Sequence, residues 1–214
     1  MDNVTDWVVE KLSEYKDRLN IIDRAPDDVL VVRATDGYSF SVAILGVQNV
    51  VRISHVQPLF TVAGKPQLVV NVPSKTPWSG AAIDFVHSVP AAFGRMGDIA
   101  RAADTRAAEL FRDKNMAFFI NALEQHRNVL RVSYVYDTVL QVDRKRGASI
   151  TVAVIDTYNM SAEDVRNARN HVGHFDVIVK STSYGSITEQ AEAAAETMGA
   201  HAVKYAGLMR LLVR

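Results

Sequence analysis

The chain has 214 residues, 48% of them hydrophobic, and its 24 basic side chains balance its 24 acidic ones, so the net charge is zero. This length suits one large domain or two small ones, and the neutral balance argues against a global field that would attract a polyanion. The lack of cysteine excludes disulfides, thiolate metal sites and a cysteine nucleophile. With no apolar run of about 18 residues and no signal-like amino terminus, we expect a soluble, cytoplasmic protein.

The first half begins with a predicted helix and a predicted hairpin. Residues 3–20 place apolar side chains at helical spacing, which predicts an amphipathic first helix. These side chains are Trp7, Val8, Leu12, Tyr15 and Leu19. The segment 26–28, Pro-Asp-Asp, breaks the pattern, and Asp36-Gly37 between the apolar runs 29–34 and 39–45 predicts a β-hairpin.

The rest of the first half predicts alternating helices and strands. An element of undetermined type covers 49–59, and the apolar run 68–72 predicts a central strand that Pro73 ends. A helix from Trp78 or Ser79 to Ser88 follows, then a strand at 91–93. A further helix runs from Asp98 to about residue 125 and kinks or restarts near Asp104, since it would otherwise exceed the usual length.

The second half predicts the same order more strongly. Strands are expected at 129–136, 138–143 and 149–155, a helix at 161–172 and a strand at 176–180. Ser186 or Thr188 caps a predicted alanine-rich helix to Met198, which Gly199 stops, and a strand at Val203 and a helix at 207–212 follow. The charged run 143–147, Asp-Arg-Lys-Arg-Gly, predicts a solvated hairpin turn, with phosphate contact as the minority alternative.

The two halves resemble each other at a nearly constant offset in the numbering. The run that ends at Asp156 repeats the run that ends at Gly46, and the run 177–180 repeats the run 68–71. We interpret this offset as an internal duplication, with an amino-terminal half at 1–103 and a carboxyl-terminal half at 104–214. The alternative is that any two β-α-β-α segments look alike at this level.

Four segments of the second half carry a resemblance to a known family. They are an apolar strand ending in Asp156-Thr157-Tyr158, an apolar strand at 176–181, a Thr-x-x-Ala-x-x-x-Ala-x-x-x-Gly segment at 188–199 and a leucine-rich end at 208–212. In this order they resemble the core of the restriction-endonuclease-like (PD-(D/E)xK) superfamily, especially its Mrr-like branch. The resemblance implies an α/β protein of two three-layer αβα halves.

Nuclease chemistry in that superfamily uses carboxylates around Mg²⁺ and a lysine that helps to activate water. The resemblance places Asp156 at the acid of the third strand, where the family lysine is replaced by Tyr158. It implies Asp143 or, less well placed, Asp137 as the acid of the preceding strand, and Lys180 as the substitute lysine. Glu124 or Glu109 would supply a helical carboxylate, and the first half, with Gly46 and Gln48 at equivalent places, would hold no metal.

Each candidate also has a structural alternative. Asp156 and Asp143 suit local turn bonding, Lys180 could cap a strand end, and Tyr158 could be half-buried packing. His171 and His174 have a spacing that suits a metal, but they lie at a predicted helix end where histidine suits the helix dipole.

We therefore expect a nuclease-like protein with a degenerate metal site that binds nucleic acid or another protein in DNA processing or phage defence. One alternative is an active Mg²⁺-dependent nuclease that uses Asp143, Asp156 and Lys180, with Asp143 and Asp156 as the metal ligands. The second alternative is a structural, homo-oligomerising protein with no nucleic-acid role. No cofactor is expected outside the nuclease alternative, and no membrane association is expected.

Overall fold

The chain divides into two compact units, Met1–Asp113 and Lys114–Arg214. The computed structural model describes residues 4–14, 18–25, 29–61 and 64–213. The sequence boundary expected at 103/104 lies ten residues before this division. Each unit has its own sheet.

The first unit is a five-stranded mixed sheet with helices. Its strands follow the order β1-β2-β3-β4-β5; β1 to β3 pair antiparallel, and β3, β4 and β5 pair parallel. The elements are α1 (Val4–Ser13), β1 (Leu19–Ala25), β2 (Val29–Ala34), β3 (Ser39–Leu45), α2 (Ile53–Val56), a 3-10 helix (Gln57–Phe60), β4 (Leu68–Asn71), α3 (Gly80–Ser88), β5 (Ala92–Arg95), α4 (Asp98–Thr105) and a 3-10 helix (Ala108–Leu110).

The second unit has the same architecture. Its sheet has the order β6-β7-β8-β9-β10, again with three antiparallel strands followed by parallel ones. The elements are α5 (Lys114–Glu124), β6 (Val129–Tyr136), β7 (Val139–Arg144), β8 (Ile150–Ile155), α6 (Ala162–Val172), β9 (Val177–Lys180), α7 (Glu189–Thr197), β10 (His201–Lys204) and α8 (Tyr205–Leu211). The fold class is therefore mixed α/β, as predicted.

Strand register is equivalent in the two sheets. Val29 of β2 faces Ala43 of β3, and Val139 of β7 faces Ala153 of β8, so both partners are shifted by the offset between Gly46 and Asp156. Because a one-residue slip would turn every side chain to the other face, matching registers mean that the two sheets bury equivalent positions. The predicted repeat therefore exists as a repeat of architecture, and its origin by duplication stays a prediction.

The offset changes once, after the third strand of each unit. An isolated parallel bridge joins Val51 to Trp78 in the first unit and Met160 to Ile187 in the second, and both partners are shifted by one position less than the antiparallel strands, β1 to β3 and β6 to β8. The loop after β8 is thus one residue shorter than the loop after β3. Each bridge precedes a helix capped by a hydroxyl, from Ser79 to α3 and from Thr188 to α7.

Helices cover both faces of the second sheet. The side chains of β8 alternate, so that Val152 and Val154 pack with α5 and α8 while Ala153 packs with α6 and α7. Half of the buried side chains on the α6/α7 side are alanines. This unit therefore has the three-layer αβα arrangement.

The predicted first helix is shorter than expected, because α1 ends at Ser13 and Leu19 begins strand β1. Leu19 pairs with Ala34 of β2, and these sheet hydrogen bonds outweigh the helical spacing of the side chains. The predictions for Tyr15 and for the break at 26–28 lie outside the described residues.

The predicted long helix after Asp98 is two helices, α4 and α5, separated by a 3-10 turn. Arg106 ends α4 with a left-handed backbone, φ 53°, and its amide nitrogen donates to the Ala103 carbonyl. The expected break near Asp104 is therefore present as the end of α4 at Thr105, and the next α-helix begins at Lys114. None of the helices in the described ranges is long and apolar enough to cross a membrane.

Candidate functional site at the carboxyl ends of β8 and β9

The carboxyl ends of β8, β9 and β10 lie side by side in the second unit. Ile155 faces Lys180, and Lys180 faces Lys204 on the next strand. The two loops that follow β8 and β9, residues 156–161 and 181–188, are here called the carboxyl-end loops. Ligands in open α/β sheets bind at this kind of edge.

Lys180 is buried, with 1% of its surface exposed. Its Nζ donates to the Thr182 carbonyl oxygen at 2.9 Å, to the Thr182 hydroxyl and to the Tyr184 carbonyl oxygen. An ammonium has three protons, so all of them have acceptors within the loop that follows β9. Burial, together with Lys204, lowers the pKa of Lys180, and Asp156 acts in the opposite direction.

The structure brings Asp156 to the same edge as Lys180. Asp156 is exposed and accepts a hydrogen bond from the Ser181 hydroxyl at 3.1 Å. It thereby ties the loop after β8 to the loop after β9. This bond joins side chains 25 residues apart in the sequence, so it differs from the local backbone bonding of the structural alternative.

Asp143 lies at the opposite end of β8. It accepts from the Ser149 hydroxyl at 2.8 Å and from Arg131 Nε at 2.9 Å, and these bonds hold the pKa of Asp143 below its usual value. Ser149 precedes β8 and Asp156 follows it, so six strand residues separate the two carboxylates. At the usual strand rise this is roughly 20 Å, too far for one metal ion to bind both.

Asp137 is nearer to Asp156 than Asp143 is. It is buried, and it lies in the turn between β6 and β7. The neighbouring Thr138 carbonyl accepts from the Val154 nitrogen at 2.8 Å, which places this turn at the carboxyl end of β8. Asp137, the less favoured candidate for the acid of the preceding strand, therefore lies at the same end of β8 as Asp156.

The residues present do not fit the metal set that the resemblance implies. In the described ranges, no group of three or more His, Cys, Asp or Glu side chains could hold a metal ion. Glu124 ends α5 with an exposed side chain, while Glu109 accepts from Gln67 Nε2 at 2.9 Å inside the first unit. The protons of Lys180, moreover, are already bonded within the protein.

Two exposed tyrosines stand on the carboxyl-end loops. Tyr158 is 69% exposed and Tyr184 is 77% exposed, so Tyr158 is not the half-buried side chain of the structural alternative. The loops touch at Gly185, where a Cβ would overlap the Tyr158 carbonyl oxygen. Lys204 Nζ, itself exposed, donates to the Gly185 carbonyl at 2.8 Å. Tyr184 and Lys204 were missed in the sequence, where an aromatic residue within Ser-Thr-Ser-Tyr-Gly-Ser was the available signal.

The first unit holds its equivalent loops in a similar way. Asn71 has the position on β4 that Lys180 has on β9, and it is fully buried. Its side chain accepts from the Val47 nitrogen at 2.9 Å and donates to the Val47 carbonyl at 3.0 Å. Gly46 packs against Val4 of α1. A buried polar side chain at this strand end therefore bonds to a loop in both units, Asn71 to the loop after β3 and Lys180 to the loop after β9, which supports a structural role for Lys180.

The paired histidines are not arranged as a metal site. His174 Nε2 lies 3.2 Å from an Asp176 carboxylate oxygen, and its Nδ1 lies 3.1 Å from Arg169. A guanidinium beside the ring competes with a cation for the same space and charge. This cluster lies at the amino end of β9, away from the carboxyl-end loops.

Comparisons with known proteins do not extend this description. A scan against protein-family models finds no match for the chain. Searches of the curated proteins and of the solved structures also find no match.

Proposed function

We propose that this protein binds nucleic acid at the carboxyl-end loops of its second unit and does not cleave it. The observation that carries the proposal is the placement of Tyr158 and Tyr184 on touching loops beside the exposed Lys204. Exposed aromatic rings with a neighbouring cation are the side chains that contact bases and phosphates. The setting that we propose, DNA processing or phage defence, rests on the family resemblance alone.

The contacts of the candidate catalytic groups support binding without cleavage. Activation of water by Lys180 would require a free proton or lone pair, but its three protons are bonded to Thr182 and Tyr184. The strand β8 separates Asp143 from Asp156, so these two cannot clamp one Mg²⁺. The nuclease alternative therefore has the weaker support.

Binding is tested by fluorescence anisotropy with labelled mixed-sequence DNA and RNA. We expect Lys204→Ala to weaken binding, because it removes the exposed cation beside the tyrosines. Lys145→Ala is the matched control, since Lys145 is an exposed lysine in the turn between β7 and β8 at the other end of the sheet. Equal losses in the two variants would contradict the proposed location.

Cleavage is tested by incubating plasmid and single-stranded DNA with the protein in Mg²⁺ or Mn²⁺. We expect both substrates to remain intact. Cleavage that Asp156→Ala abolishes would restore the nuclease alternative. Lack of binding to any probe by a folded, self-associating protein, measured by light scattering, would favour the structural alternative.

A further inference from the structure

The tyrosines of the carboxyl-end loops expose most of their surface to solvent. With 69% and 77% of their surfaces exposed, Tyr158 and Tyr184 are the most exposed aromatic side chains of the described chain. In a duplex, neighbouring base pairs already cover both faces of each base. An aromatic ring can stack only on a base that is free of these neighbours.

We propose that the nucleic acid bound here is single-stranded and that its bases stack on Tyr158 and Tyr184. This inference rests on the proposed function and names its substrate class. The two side chains arise from adjacent points of the surface, because Gly185, next to Tyr184, touches the Tyr158 carbonyl. Neighbouring bases of one strand therefore meet both rings.

The loops that carry the rings are held in place before any ligand binds. Lys180 and Lys204 both donate to carbonyls of the loop after β9, at Thr182, Tyr184 and Gly185. Asn159 Oδ1 accepts from the Ser186 nitrogen at 2.9 Å and so joins this loop to the loop after β8. Fixed loops lose little conformational entropy on binding, which favours stacking contacts.

The local charge predicts few phosphate contacts. Lys204 is the exposed cation beside the rings, whereas Lys180 is buried, and Asp156, Glu163 and Glu189 lie at the loop and at the first turns of α6 and α7. Each phosphate neutralised on a single strand contributes a slope of about −0.7 to log K against log salt. We therefore expect a slope of about −1, much shallower than that of a protein with a basic groove.

The experiment uses the full chain and two fluorescent probes, a single strand of mixed sequence and the blunt duplex of the same sequence, in DNA and RNA forms. We expect the single strand to bind at least about tenfold more tightly than the duplex. Changing both Tyr158 and Tyr184 to Ala should lose at least about tenfold in affinity, whereas changing both to Phe keeps the ring faces and stays within about threefold of wild type. Circular dichroism confirms that the variants are folded.

The outcomes separate this inference from the function on which it rests. Equal binding of duplex and single strand, or an equal loss for the Phe and Ala variants, overturns the single-strand inference and leaves nucleic-acid binding intact. No binding of either probe overturns both. If the Ala variant changes only the oligomeric state, measured by light scattering, the tyrosines contact protein and the inference is wrong.

Discussion

Lys180 shows the conditions under which a charged side chain can be buried. Removing an ammonium from water is costly unless its protons find acceptors, and the Thr182 and Tyr184 oxygens supply them. The same contacts close the loop after β9 over the strand end. These contacts support a loop-positioning role for the lysine that the nuclease alternative placed in catalysis.

Gly185 is required by both conformation and space. Its φ is +72°, and a Cβ would overlap the Tyr158 carbonyl oxygen. We expect Gly185→Ala to destabilise the protein by at least about 2 kcal/mol and to displace the two loops. Urea unfolding measures the loss.

Gly199→Ala is the matched control for Gly185→Ala. Gly199 also has a φ of +72°, but nothing lies within 4 Å of its Cβ position. The substitution Gly199→Ala should therefore lower the free energy of unfolding only by the strain of the positive φ, about 1 kcal/mol. Equal effects of the two substitutions would show that the contact with Tyr158 has no energetic weight.

His87 makes the first unit sensitive to acid. Burial, with a smaller effect of Arg112, lowers the pKa of His87 to about 4 from its usual value of 6.5. Between these two values the unfolded chain binds a proton that the folded chain does not, so stability falls as the pH falls from 6.5 towards 4. We expect His87→Phe to have a shallower acid decline than wild type, as measured by urea unfolding from pH 7 to pH 4.5.

Wild type and the His87→Phe variant differ only at residue 87, so the difference between their acid declines measures the effect of the histidine. Parallel declines would show that His87 takes up its proton equally in both states. The ring centroid of His87 lies 5.5 Å from that of Phe93, so phenylalanine should be tolerated at this position.

The last strand and the following helix approach closely in both units, and a glycine on one of the two elements makes room for a side chain on the other. In the first unit, a Cβ on Gly94 of β5 would lie 2.9 Å from the Asp98 Cβ on α4. In the second, a Cβ on Gly207 of α8 would lie 2.8 Å from the Val203 Cβ on β10. At the offset of the two bridges, Gly94 corresponds to Val203 and Asp98 corresponds to Gly207. The glycine is therefore on the strand in the first unit and on the helix in the second. Both units thus have the same close approach of strand and helix, but the side chain at the contact comes from the helix in the first unit and from the strand in the second.

This exchange predicts energetic coupling between the two positions in the second unit. We expect Gly207→Ala to cost about 1–3 kcal/mol by overpacking against Val203. The double variant Val203→Gly with Gly207→Ala should lose less free energy of unfolding than the two single variants lose together, by about 1 kcal/mol. Urea unfolding of all four proteins measures the coupling.

Ala202→Gly provides the control pair, because Ala202 packs towards the α6/α7 face while Val203 packs towards the α5/α8 face. When Ala202→Gly is combined with Gly207→Ala, the two changes in the free energy of unfolding should add. If the Val203→Gly and Gly207→Ala changes also add, the contact between these two positions is not the cause of the destabilisation.

At the scale of the whole molecule, the second unit has a complete core of its own. The clusters on both faces of its sheet consist of residues from 114 onwards. We expect the fragment 114–214 to fold alone and to unfold in one cooperative step, because it buries both sheet faces without the first unit. Near-ultraviolet circular dichroism and urea unfolding test this expectation. A fragment without fixed aromatic signals would show that the unit needs the rest of the chain.

The sequence by itself determined the α/β class and the order of most elements. The hairpin at Asp36-Gly37 and the apolar strands β4 and β9 depend on turn chemistry and side-chain periodicity, which are local properties. The constant offset between the halves likewise follows from the order of local patterns.

Tertiary structure alone decided the composition of the site. Strand β1 forms because β2 supplies its hydrogen bonds, and antiparallel pairing carries Asp143 to the end of β8 opposite to Asp156. The engaged protons of Lys180 and the exposed ring of Tyr184 also depend on contacts between separate segments. Which end of a sheet a residue reaches, and which surface it leaves open to solvent, is set by how strands pair, and that is not a property of any one stretch of sequence.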